Sequence, residues 1–136
     1  MAAEKSAQII CLQEFFKSRY FCQVADEQFS SLVELIDEDN HTVNLFCDLA
    51  KDLDVVLIVP LFEKRAAGIY HNALVVIDAD GRYLGKYRKM HIPEDPQYYE
   101  KFYFTPEDLG YKIFKTKYAK LGVLIWWDQC NPKQLV

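Results

Sequence analysis

Two hydrophobic patterns alternate along this chain, one strand-like and one helical. Ala7-Gln8-Ile9-Ile10-Cys11-Leu12 is a β-favouring apolar run without helical period, which predicts a strand covered on both faces and ending at Gln13 and Glu14. Phe15 to Phe29 is rich in aromatics with no clean period and reads as a long loop containing a helical turn. From Thr42 to Leu53 the apolar residues Val43, Phe46, Leu49, Ala50 and Leu53 recur at spacings of three and four. That spacing predicts an amphipathic helix, with Asp39, Asn40 or Thr42 available to cap its start. Val55 to Leu61 and Asn72 to Asp78 read as a second and a third strand. The Asp78-Ala79-Asp80-Gly81 segment carries a strong Asp-Gly turn signal, and Tyr83 to Tyr87 closes a hairpin. A short strand-like stretch, Tyr111 to Thr116, precedes one more nearly continuous apolar run from Leu121 to Trp127, read as a further strand. The order of elements predicts an α/β fold with a mixed sheet, and the Pro- and aromatic-rich segment from His91 to Asp108 reads as an ordered loop near a site.

Composition narrows the class. At 136 residues, residues 1–136 are expected to form a single domain, and 51% hydrophobic with 15% aromatic content is far too apolar for a disordered chain. With 16 basic against 20 acidic residues the net charge is -4, leaving no basic surplus to neutralise phosphates, so nucleic acid is not an expected partner. The longest apolar run, Val55 to Phe62, contains Pro60 and is far short of the roughly 20 residues that cross a bilayer, which argues against a membrane protein. Cys11, Cys22, Cys47 and Cys130 show no C-x-x-C spacing, and no basic n-region followed by an apolar h-region opens the chain. A reducing, cytoplasmic setting is therefore expected.

Three charged residues sit where the chain leaves apolar segments: Glu14, Lys89 and Glu100. Each taken singly reads as a solvated or salt-bridged surface residue. Gathered in an apolar, aromatic-walled pocket, they would poise one acid as a general base and supply a fixed positive charge to a developing oxyanion. Tyr20, Tyr98, Tyr99, Phe102, Tyr103 and Phe104 would wall a cationic, polyamine-like ligand through cation–π contacts, although aromatics in a loop more often simply pack. His41, His71 and His91 lack ligand spacing with cysteines or acids, so no metal is expected and His91 reads as a loop-ordering hydrogen-bonder. Glu63 could help line the pocket, and a surface salt bridge explains it equally well.

The segments AQIICLQEFF with RYFCQ, PLFEKRAAGIYHNALVVIDADG, LGKYRKMHIPEDPQYYEKFYFTPEDLGYKIF and LGVLIWWDQCNP cover most of residues 7–132. In these blocks and in their order the chain resembles the first half of carbon-nitrogen hydrolases of the nitrilase superfamily, most of all the N-carbamoylputrescine amidases among them. The resemblance implies a partial αββα sandwich and a Glu-Lys-Cys triad. By motif position Glu14 takes the place of the general base, Lys89 that of the oxyanion lysine, and Glu100 that of a supporting glutamate. A complete site of this kind forms a thioester on its cysteine, with the backbone N–H of the following residue, here Trp127, completing the oxyanion hole. The implied reaction splits the ureido C–N bond of N-carbamoylputrescine to give putrescine, carbon dioxide and ammonia, with no cofactor. The implied partners are that small substrate and either further copies of the chain or a complete subunit.

Two departures qualify this expectation. The family's nucleophile motif runs Cys-Trp-Asp-Gln-Trp, whereas this chain reads Trp126-Trp127-Asp128-Gln129-Cys130. The nucleophile position holds Trp126, whose indole has no acyl-transfer chemistry, and Cys130 stands one helical turn away, reading as a small buried thiol rather than a substitute nucleophile. Members of the family also begin with a strand and helix before the AQII segment and continue well past the nucleophile. On that comparison the chain is expected to be an incomplete domain. The isolated chain is expected to be inactive; the alternative is a non-catalytic pseudoenzyme or truncated fragment serving as a ligand-binding or subunit-interaction module.

Overall fold

The computed structural model describes residues 2–37 and 39–130. Its centre is a long antiparallel hairpin of β2 (Val56–Ala66) and β3 (Ile69–Ile77), to which β4 (Tyr83–Arg88) adds antiparallel on one side and β1 (Ile9–Cys11) parallel on the other. The four-stranded sheet is therefore mixed, as its sequence pattern predicts. Helix α1 (His41–Leu53) begins at Asn40, whose side-chain oxygen accepts from the Val43 N–H at 2.8 Å, and it ends at Asp54 in a left-handed conformation.

Strand alternation divides the core in two. Leu57, Val59 and Leu61 of β2 and Ala73, Val75 and Ile77 of β3 share one face and pack with Val43 and Ala50 of α1. Val56, Leu74, Val76 and Tyr87 lie on the other face beneath Phe114, Val123 and Ile125. Burial on both faces explains why β2 and β3 read as nearly continuous apolar runs. Further along the second face, Phe62 joins Phe15, Phe21, Cys22, Ile92, Tyr103 and Phe104 in an aromatic cluster.

Three expectations change. The first strand is an edge strand, with Ile9 36% exposed and Cys11 exposed, because among the described residues only β2 pairs with it. The hairpin of β2 and β3 is longer than predicted, turning at Ala67-Gly68 with Gly68 at φ +74°. The run from Leu121 to Trp127 is not one strand: β8 (Lys120–Gly122) pairs briefly with β7 (Ile113–Lys115), and Trp126–Cys130 forms a 3-10 turn. Trp126 sits at φ +37°, which cannot continue a strand, and Val123 and Ile125 are apolar because they cap the second core rather than because they pair. The segment from His91 to Asp108 is ordered, holding a two-residue hairpin of β5 (Glu94–Asp95) and β6 (Tyr98–Tyr99) followed by the single turn α2 (Glu100–Tyr103). Among the described residues no helix is long and apolar enough to cross a membrane.

The β3–β4 turn presses on α1 at Gly81, where φ is +85° and an added Cβ would lie 2.8 Å from the Cys47 carbonyl oxygen. Gly81→Ala is expected to lower stability by about 1–3 kcal/mol, through left-handed strain and the collision together. Gly110→Ala, also at positive φ (+71°) but in open space, isolates the strain alone and should cost less. Urea midpoints of the two variants check this.

Candidate active site

Arg88 and Lys89 are consecutive, so the end of β4 sends them to opposite faces of the sheet. The Lys89 N–H donates to the Asn72 carbonyl at 2.8 Å, which carries the ladder one residue past β4. On the second face, Lys89 Nζ lies 2.7 Å from Glu100 Oε2 and 3.1 Å from Glu14 Oε1. Asn72 Nδ2 donates to Glu14 Oε1 at 2.6 Å, and the Tyr20 hydroxyl donates to Glu100 Oε1 at 3.2 Å. The three charged residues singled out in the sequence thus meet in one row, drawn from the loop after β1, the residue after β4 and the start of α2. Lys89 and Glu100 are fully buried, while the Glu14 side chain keeps 25% of its surface.

Burial pushes the Glu100 carboxyl above the usual carboxylate range, opposed by the neighbouring Lys89 ammonium. Burial, and after it the Glu100 carboxylate, raise the Tyr20 hydroxyl well above its ordinary value, so it stays a neutral donor. Cys22 is fully buried, and burial followed by the Glu100 charge drives its thiol up in the same way. A thiol held neutral and sealed from solvent is a poor nucleophile.

Trp126, at the position expected to carry the nucleophile, lies against this row. Its ring centroid is 5.2 Å from Lys89 Nζ and 5.5 Å from the Tyr98 ring, and the residue is 41% exposed. Cys130 is exposed, not the buried thiol expected of it. It is the last residue of the Trp126–Cys130 turn and belongs to none of the core clusters among the described residues.

The sequence reading passed over Asp128. It is fully buried; its Oδ2 accepts from the Tyr87 hydroxyl at 2.8 Å and the Ile125 N–H at 3.1 Å. Its Oδ1 accepts from the N–H groups of Met90 (3.1 Å) and His91 (2.8 Å) and lies 3.0 Å from His91 Nδ1. One carboxylate thereby ties the turn bearing Trp126 to the two residues that follow Lys89. A lone acid directly after an apolar run was the available signal. His91 orders its loop through this carboxylate, as expected.

Glu63 is not a surface residue. It is 1% exposed and accepts from Arg88 Nε (2.6 Å), Arg88 Nη2 (2.7 Å) and Lys86 Nζ (2.5 Å). It follows Leu57, Val59 and Leu61 in register, so it lies on the α1 face, away from the row around Lys89. Of the six aromatics, Tyr20 and Tyr98 border the row, whereas Tyr103 and Phe104 pack in the aromatic cluster and Tyr99 and Phe102 are exposed. His71 is buried with Nδ1 2.9 Å from the Thr105 carbonyl, and among the described residues no cluster of ligands is arranged to hold a metal ion.

The sequence profile described as carbon-nitrogen hydrolase matches residues 1–136. An N-carbamoylputrescine amidase of Solanum tuberosum is 48% identical over 132 residues, which are 97% of this chain and 43% of that protein. A citrullinase of Francisella tularensis is 42% identical over 97% of this chain and 46% of its own length. The crystal structure of a carbon-nitrogen hydrolase from Helicobacter pylori G27 superposes with a TM-score of 0.87 at 47% identity, covering 97% of this chain and 45% of that one. The chain thus spans less than half the length of these relatives.

Asp128→Ala leaves a buried hydroxyl and three backbone N–H groups without their acceptor, and a loss of more than about 3 kcal/mol is expected in chemical denaturation. At Glu63, burial raises the carboxyl, but the bonds from Arg88 and Lys86 outweigh it and hold it below the ordinary range. Its folded value being lower than its unfolded value of about 4.3, its contribution is present above that pH and disappears as pH falls through the folded value. Glu63→Gln should therefore be less stable at pH 7 and show a shallower loss of stability below about pH 4, read from urea midpoints across pH.

Proposed function

The chain belongs to the carbon-nitrogen hydrolase family, and from that premise we propose that its site is shaped for a ureido substrate, N-carbamoylputrescine, while lacking the thiol that would attack it. In the reaction proposed for the intact site, a thiol at position 126 gives its proton to Glu14 and bonds to the ureido carbonyl carbon. Lys89 and the Trp127 N–H face the resulting oxyanion. The C–N bond then breaks, the leaving amine takes the proton back from Glu14, and Glu14 next activates water to hydrolyse the thioester. Hydrolysis frees the thiol and a carbamic acid, whose remaining C–N bond breaks as it loses carbon dioxide, so one substrate and one water give putrescine, carbon dioxide and ammonia.

The observation that carries this reading is the intact Glu14–Lys89–Glu100 row with an indole packed 5.2 Å from its ammonium. The 3.1 Å contact of Glu14 with Lys89 supports reading them as base and cationic partner, and position 126 offers an indole rather than a thiol. A second reading is favoured by the same ring. Two carboxylates against one ammonium leave a negative site, and Trp126 with Tyr98, 5.5 Å apart and both part-exposed, suits a non-catalytic module that holds an ammonium ligand. The cysteine pattern supports a cytoplasmic setting, and the exposed edge of β1 supports pairing with a copy of the chain or a longer subunit.

Purified chain incubated with N-carbamoylputrescine is expected to release no ammonia, and Trp126→Cys combined with Cys130→Trp to restore release that iodoacetamide abolishes. Thiol-dependent release by the unaltered chain would overturn the predicted inactivity. A folded double variant without turnover would favour the binding module.

A further inference from the structure

We propose that Asn72 is a positioning residue that commits one oxygen of Glu14 to the buried network and leaves the other to take the proton; the inference rests on the reading of Glu14 as the site's base. Both hydrogen bonds to Glu14, from Asn72 Nδ2 at 2.6 Å and from Lys89 Nζ at 3.1 Å, fall on Oε1. Among the described residues Oε2 accepts none, and Glu14 is the one charged member of the row with exposed surface. A carboxylate pinned through one oxygen presents the other in a single orientation, which proton transfer requires.

Asn72 is 1% exposed and sits in the register of β3 opposite Phe62, next to Ala73, Leu74 and Val75. An apolar side chain would suit that burial. The amide instead faces Glu14 with its N–H₂, since its oxygen there would oppose the carboxylate, and its Oδ1 is left buried without a partner among the described residues. A buried unpaired acceptor is unfavourable, so the strand keeps this residue for what its donor does. Its backbone carbonyl also accepts the Lys89 N–H at 2.8 Å, so one residue of a central strand fixes the base by its side chain and the lysine by its main chain.

The test has a structural and a kinetic arm, each with Asn72→Leu, and with Asn72→Ala should the leucine variant fail to fold. Crystal structures of the unaltered chain and the variant are expected to show Glu14 with one fixed carboxylate orientation in the first and rotated or split in the second. An unmoved Glu14, still bonded to Lys89 through Oε1, overturns the proposal. In the Trp126→Cys, Cys130→Trp background, the variant is expected to lose up to about 100-fold in kcat with KM little changed. An unchanged kcat, or a loss confined to KM, also overturns it. Absence of turnover in that background strikes at the role of Glu14 as base, while the crystallographic comparison still decides what Asn72 does to its orientation.

Discussion

An ammonium group cut off from water has to be neutralised by the protein itself, and much of the structure around Lys89 answers that requirement. Its charge is fully buried, where an unpaired cation would be prohibitively unfavourable. Glu100 and Glu14 supply the counter-charge, but each buried or half-buried carboxylate then needs donors of its own. Tyr20 serves the first and Asn72 the second. A single ammonium therefore organises the residues after β1, the strand β3, the end of β4 and the turn α2, four segments that share no local sequence signal.

The alternation of β4 lets a second charged cluster exist one residue away without interference. Arg88 turns to the α1 face and meets Glu63 and Asp108, the latter also paired with Arg65. Asp108 closes the same 91–108 segment in which Glu100 lies. That segment is gripped on one face through Glu100 and Lys89 and on the other through Asp108 and Arg88, straddling the end of β4. Its order rests on these two grips together with its short hairpin and single helical turn.

Much of this could be read from the sequence, and the reasons for success and failure are physical. The spacing of Val43, Phe46, Ala50 and Leu53 located α1 within a residue, because a helix packed on one side must repeat near 3.6. The strands β2 and β3 were found by their apolar content, but their ends at the connecting turn were not, since Lys64 and Arg65 in β2 break the apolar pattern beyond the core. The stretch from Leu121 to Trp127 misled because burial and pairing leave the same apolar trace. In the site, the grouping of Glu14, Lys89 and Glu100 was legible only through resemblance, for nothing local reports that residues up to 86 positions apart converge. Asp128 was passed over and Glu63 misjudged for one reason: sequence alone does not show whether a carboxylate will find enough buried donors to leave the surface.

The chain contains two tryptophans, and both lie in the turn against Lys89, one of them within reach of the Tyr98 ring. Its entire indole emission consequently originates at the candidate site. An ammonium beside one indole and a tyrosine beside the same ring are the neighbours that govern quenching and energy transfer. Trp126 thus places an intrinsic optical reporter against the Lys89 row, so that a ligand binding beside that ring is expected to register in the protein's own fluorescence.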